Sequence, residues 1–242
     1  PAVVEIMVNP DGRLWVERHG SGRTESGSMS SADSERVIRL VASHAGRRAD
    51  VGSPIVSAEL PMGGERFEGV LPPVSPGPCF SIRKPAGRVI ALDTYVASGV
   101  MAAHHAEALR RAVLDRENIL VVGGTGSGKT TLANALLAEI ARTGDRLVIL
   151  EDTRELVSAA RDAVQLRTQP GAVTLADLVR STLRLRPDRI IIGEVRGAEA
   201  LDMLKAWNTG HPGGIATLHA NSALSGLSRL EQLIGEASAQ VP

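Results

Sequence analysis

The stretch NILVVGGTGSGKTTLANALL, residues 118–137, constrains the fold more than any other part of the chain. An apolar run of strand character breaks into glycines, reaches one lysine and resumes with helical spacing. Gly123-Gly124-Thr125-Gly126-Ser127-Gly128-Lys129-Thr130 satisfies the spacing G-x-x-x-x-G-K-[ST], with a strand expected before it and a helix starting near Thr130. Glycines let the backbone curl until successive N–H groups face an anion, and the helix adds its positive end. The ligand this implies is ATP with Mg²⁺. Gly124, Thr125, Gly126, Ser127, Gly128, Lys129, Thr130 and Thr131 form the cradle. Lys129 should reach the β- and γ-phosphates, and the Thr130 hydroxyl should coordinate the metal.

Beyond the cradle, strand-like and helical runs alternate: 118–122, 130–142, 146–150, 175–185, 189–193 and 198–208. That βαβα order implies a parallel sheet with helices on its faces. Two of these strands end in acids, at the carboxyl edge where sites in such sheets lie. RPDRIIIGEVRG (186–197) delivers Glu194, to polarise an attacking water, to support the metal's water shell, or both. LVILEDTREL (147–156) delivers Glu151 and Asp152. GHPGGIATLHAN (210–221) adds His211 and His219 around a short strand. The two histidines lie eight apart without partners at zinc-ligand spacing, so no metal centre is expected of them.

The first 85 residues read differently. VVEIMVNPDGRLWVER alternates on both sides of an Asn9-Pro10-Asp11-Gly12 turn, a hairpin signal. SADSERVIRLVASHAG has helical spacing behind serine caps, and SPIVSAEL, ERFEGVLPP and CFSIRK read as short strands. The expected organisation is a small α+β domain over 1–85, a junction over 86–102 and an ATP-binding domain over 103–242. FSIRKP (80–85) places Arg83 at that junction. Its planar fork suits a γ-phosphate, and losing that phosphate on hydrolysis would release the two domains.

Composition excludes some classes. Net charge is zero, and the chain is 43% apolar but only 2% aromatic. Neither an overall basic field nor base-stacking platforms are present, which argues against direct nucleic-acid binding and a helicase-like or recombinase-like ATPase. The single cysteine, Cys79, allows no internal disulfide and no four-cysteine zinc module, and fits a reducing compartment. No apolar run approaches the ~20 residues that span a bilayer.

In order along the chain, GGTGSGKT, ILEDTREL, LRPDRIIIGEVRG and TLHAN resemble the Walker A, Asp box, atypical Walker B and His box of the type II/type IV secretion ATPase superfamily. GHPGGIATLHANSALSGLSRLEQLI and EIMVNPDGRLWVERHG look most like its conjugal-transfer branch, the TrbB type. The resemblance covers nearly the whole chain. It implies a RecA-like P-loop domain behind a small α+β domain, a homohexameric ring, and nucleotide held at the domain junction. It also places Glu151 in the Asp box, Glu194 in Walker B and His219 in the His box, which implies catalytic roles for them beside Lys129; the expected metal contacts are Thr130, Glu194 via water and Glu151, and Arg83 is an expected nucleotide contact. The implied work is ATP hydrolysis in the cytoplasm, at the inner-membrane face of a type IV secretion or conjugation apparatus, with that apparatus's inner-membrane and cytoplasmic components as partners. A related pilus or type II secretion motor is the alternative. The chain starts at Pro1 and stops at Pro242, where the family continues with further helices, so a trimmed N-terminus and a truncated C-terminus are expected.

Overall fold

The computed structural model describes residues 2–85, 89–169 and 171–239. It divides into two compact units, Pro1–Gly87 and Arg88–Pro242.

In the first unit the alternating residues around the Asn9–Gly12 turn form the expected hairpin, β1 (Val3–Val8) with β2 (Arg13–Arg18). β3 (Gly22–Ser28) follows, and then α1 (Ser31–His44), whose first turn is capped by the Ser30 hydroxyl accepting from Asp33 N. β4 (Ile55–Glu59), β5 (Arg66–Val70) and β6 (Cys79–Arg83) complete an antiparallel six-stranded sheet of order β3-β2-β1-β6-β5-β4. Ile38 and Ala42 of α1 pack on Val8, Val56, Phe67 and Phe80 of the strands to make its core. β3 went unforeseen because GRTESGS is exposed throughout and shows no apolar alternation.

In the second unit, the expected junction over 86–102 begins with residues 86–88, which lie outside the described residues. Leu92–Ala97, inside that stretch, forms helix α2, and Leu92 is buried against Ala106 and Ala135. α3 (Ala103–Leu114) leads into β7 (Ile119–Gly123), the cradle loop and α4 (Lys129–Ile140). β8 (Leu147–Glu151), β9 (Ala163–Arg167), α5 (Leu175–Thr182), β10 (Arg189–Val195), α6 (Glu199–Asn208), β11 (Ile215–His219) and α7 (Ala223–Ala239) follow. The five strands pair in parallel in the order β7-β11-β10-β8-β9. Helices cover both faces, as a parallel sheet requires. α3 and α4 pack on one face through Val113, Leu136 and Leu137; α5, α6 and α7 pack on the other through Leu178, Met203 and Leu233. The second unit is therefore an α/β parallel sheet between helical layers.

At the amino edge of this sheet Arg189, 1% exposed, donates to Asp145 Oδ2 at 2.6 Å and to the Val113 carbonyl at 2.8 Å. Arg116 pairs with the other oxygen of Asp145. His211 Nδ1 lies 3.0 Å from the Pro187 carbonyl at the same edge, away from the cradle.

Candidate nucleotide-binding site

Alternation along the strands decides which side chains face α4. Val121, Leu147, Ile149, Ile191 and Ile215 pack in the core beneath α4, whereas Val148, Leu150, Ile190, Ile192 and Ala216 pack in the core beneath α5 and α6. Counting on by twos puts Gly123, Glu151, Thr217 and His219 on the α4 side, at the carboxyl edge.

The same count would send Glu194 to the α5/α6 side, in step with Ile190 and Ile192. It does not arrive there. Pairing passes from Ile192↔Ala216 to Val195↔Leu218, an advance of three residues on β10 against two on β11. This β-bulge carries Gly193 and Glu194 to the α4 side together and returns Val195 to the α5/α6 core. The Thr217 hydroxyl donates to the Gly193 carbonyl at 2.6 Å across it. A Cβ at position 193 would come within 2.9 Å of Glu151 Cγ, so only glycine fits between the two acids.

The cradle itself is closed by Gly128 at φ +94°, a left-handed conformation immediately before α4. Lys129 Nζ donates to the Gly124 carbonyl at 2.8 Å, and Ser127 Oγ to the same carbonyl at 2.9 Å. The ammonium thus lies within the loop's curl. Thr130 and Thr131 continue the first turn of α4 half-buried, and Thr130 Oγ1 donates to Glu155 Oε2 at 3.2 Å.

β10 is parallel to β7 as expected, but not adjacent to it: β11 lies between them. Glu194 therefore approaches the cradle through His219, which pairs with Gly123 across β11 and β7. His219 Nε2 lies 3.5 Å from Thr125 Oγ1 and 3.6 Å from Glu194 Oε1. Arg196 Nε donates to Glu194 Oε2 at 2.8 Å, and its NH1 lies 3.8 Å from Asp152 Oδ2. The Glu194 side chain is 21% exposed.

Glu151 is in a different position. It is 2% exposed, and its Oε1 accepts from the backbone N–H of both Glu155 and Leu156 at 2.8 Å. Burial pushes its carboxyl above the usual carboxylate range, against the opposing effect of those two N–H groups. Asn134, fully buried on α4, holds the same turn from the other side. Its Nδ2 donates to the Glu155 carbonyl at 3.3 Å, and its Oδ1 accepts from Val157 N at 2.9 Å. Asp152 is exposed and accepts from Thr168 Oγ1 at 3.1 Å. Arg83 ends β6 in the first unit, exposed, and pairs in register with Glu5 and Arg66 on the flanking strands.

The structure thus brings Lys129, Thr130, Glu151, Glu194 and His219 to one corner of one unit. Sequence reasoning missed Glu155, Asn134, Arg196 and Thr217, which hold that corner in place. Glu155 and Arg196 stood inside the quoted acidic and GEVRG stretches, but spacing alone does not reveal which charge faces which. Asn134 and Thr217 gave no signal.

Comparison with known proteins agrees with this geometry. The model of the family described as Type II/IV secretion system protein matches residues 4–240. The conjugal transfer protein TrbB of Rhizobium radiobacter is 58% identical over 241 residues, 99% of this chain and 74% of its own. Among solved structures, the VirB11 ATPase of the Brucella suis type IV secretion system, in complex with sulphate, is 31% identical with a TM-score of 0.53, covering 99% of this chain and 79% of its own. The pilus retraction motor PilT with bound ADP, at 22% identity and a TM-score of 0.71 over 96% of this chain and 67% of its own, shares the fold. The chain belongs to the type II/IV secretion system family, in its conjugal-transfer, TrbB-type branch.

Proposed function

We propose that this chain is the ATP-hydrolysing motor of a conjugative type IV secretion apparatus, powering pilus assembly or DNA–protein transfer. One observation carries the reading: a register slip in β10 brings Glu194 round to the face that already holds the cradle and His219. Bulges next to active sites re-aim a side chain in this way.

The roles follow from surroundings. The curled loop and Lys129 bind the phosphates of ATP. The Thr130 hydroxyl, which gives its proton to a carboxylate, keeps oxygen lone pairs for a divalent cation, so the residues present fit Mg²⁺. Mg²⁺ held there would supply positive charge to offset that of the phosphates. Glu194, partly open to solvent and oriented by Arg196 and His219, accepts the proton of the attacking water. Glu151, buried and committed to two backbone N–H groups, organises the turn that follows β8. No described helix is long and apolar enough to cross a membrane. The resemblance supports a homohexamer working at the inner-membrane face, with components of the apparatus as partners.

Two variants test this. Lys129→Ala should lose binding of a fluorescent ATP analogue together with phosphate release. Glu194→Gln should keep binding and lose about 10²–10⁴-fold in turnover. Wild-type turnover in Lys129→Ala would remove the ATPase reading.

A further inference from the structure

We infer that Glu155 is the positioning residue for the metal: it fixes the proton of the Thr130 hydroxyl so that the oxygen is presented to Mg²⁺. This rests on the proposed nucleotide reading and deepens it.

A threonine hydroxyl has one proton and two lone pairs, and it rotates to suit its neighbours. On a helix the default acceptor for that proton is the carbonyl one turn back, which would leave the direction of the lone pairs to the helix geometry. Here the acceptor is instead Glu155 Oε2, at 3.2 Å. A hydroxyl committed as a donor to an anion becomes a better and better-aimed oxygen ligand. That is how outer partners tune metal ligands elsewhere.

The rest of the corner serves to hold Glu155 still. Its backbone N–H is held by Glu151 Oε1 and its carbonyl by Asn134 Nδ2, so both sides of the residue are pinned. Asn134 lies one helical turn beyond Thr130, so donor and clamp belong to the same helix face. Glu155 is thereby held between α4, through Asn134, and the end of β8, through Glu151. This division also separates the acids of the ILEDTREL stretch. Glu151 faces inward as a clamp, and Glu155 alone has its carboxylate on the expected metal ligand.

The test uses the full chain and a fluorescent ADP analogue titrated with Mg²⁺, beside a titration of the same analogue in excess chelator. Glu155→Ala should raise the Mg²⁺ concentration for half-maximal tightening by about 10–100-fold, the usual cost of losing an outer partner. Affinity in chelator should stay at the wild-type value. Glu155→Gln, whose amide oxygen still accepts the hydroxyl proton, should recover much of the loss. An unchanged Mg²⁺ requirement in Glu155→Ala overturns the inference, as does an equal fall of affinity with and without metal, which marks a purely structural residue. Failure of the wild-type chain to bind the analogue at all would instead overturn the nucleotide reading itself, and this inference with it.

Discussion

Glu151 ends a strand beside the phosphate cradle, is almost wholly enclosed and accepts from two backbone N–H groups. Glu151→Ala should orphan both donors and cost about 2–6 kcal/mol of stability, at roughly 1–3 kcal/mol for each buried unsatisfied group. Glu151→Gln keeps an accepting oxygen and should cost far less. The pH dependence has a definite sign. Burial raises the folded-state pKa above that of the unfolded chain, so the contribution of Glu151 is complete at low pH and declines as pH rises through the folded value. Glutamine does not titrate. Relative to the parent, Glu151→Gln should therefore gain stability between about pH 4 and about pH 8, either side of the ordinary carboxylate-to-neutral range. Thermal unfolding at the two pH values checks it.

At the scale of elements, the bulge in β10 depends on one side chain of the neighbouring strand. Thr217 is 2% exposed, and its hydroxyl donates to the carbonyl of the bulged glycine. Thr217→Val keeps the shape and loses the bond, which should cost about 1 kcal/mol and let Glu194 drift. Small misplacements of a reacting group are expensive, so turnover should fall about 10–100-fold with nucleotide affinity unchanged. Phosphate release measured beside equilibrium binding separates the two effects. β7, β8, β10 and β11 were legible in the sequence because their apolar runs end at Gly or at a charged residue. β9 and β3 were not. AVQLR is a short edge strand with an exposed alternate face, and GRTESGS has no apolar face at all. Of the candidate site, Lys129 and Thr130 were legible from spacing, Glu151 and Glu194 from their places at strand ends, and His219 only from the resemblance of TLHAN to a family motif. The bulge was invisible, because nothing in IIIGEV marks where the pairing changes step. The pairing with β11, and the core that Val195 shares with Ile192, reveal the change of step.

At the scale of the whole molecule, the chain builds two units on separate cores, one antiparallel and one parallel. The cradle, both acids and His219 all belong to the second. For sensing the γ-phosphate we propose Arg83 of the first unit. Its guanidinium is exposed at the end of β6, and its fork suits a γ-phosphate. Arg83→Ala should lower ATP turnover while ADP, which lacks that phosphate, binds as before. Titrating both nucleotides against the variant decides it, since equal losses for the two would send the search to another cation.

Gly193 also acts as insulation. The extra residue pushes Glu194 one step further out along β10, leaving bare backbone beside Glu151. Deleting Gly193 would straighten the strand and seat the Glu194 side chain where an added Cβ would lie 2.9 Å from Glu151 Cγ. Two carboxylates so placed cannot both be ionised at low cost, and the pair would have to share a single proton. The deletion variant should then melt progressively earlier than its parent as pH rises, a trend that thermal unfolding across a pH series would register. One glycine without a side chain thus keeps the two neighbouring acids apart, Glu151 held by the turn after β8 and Glu194 by Arg196 and His219.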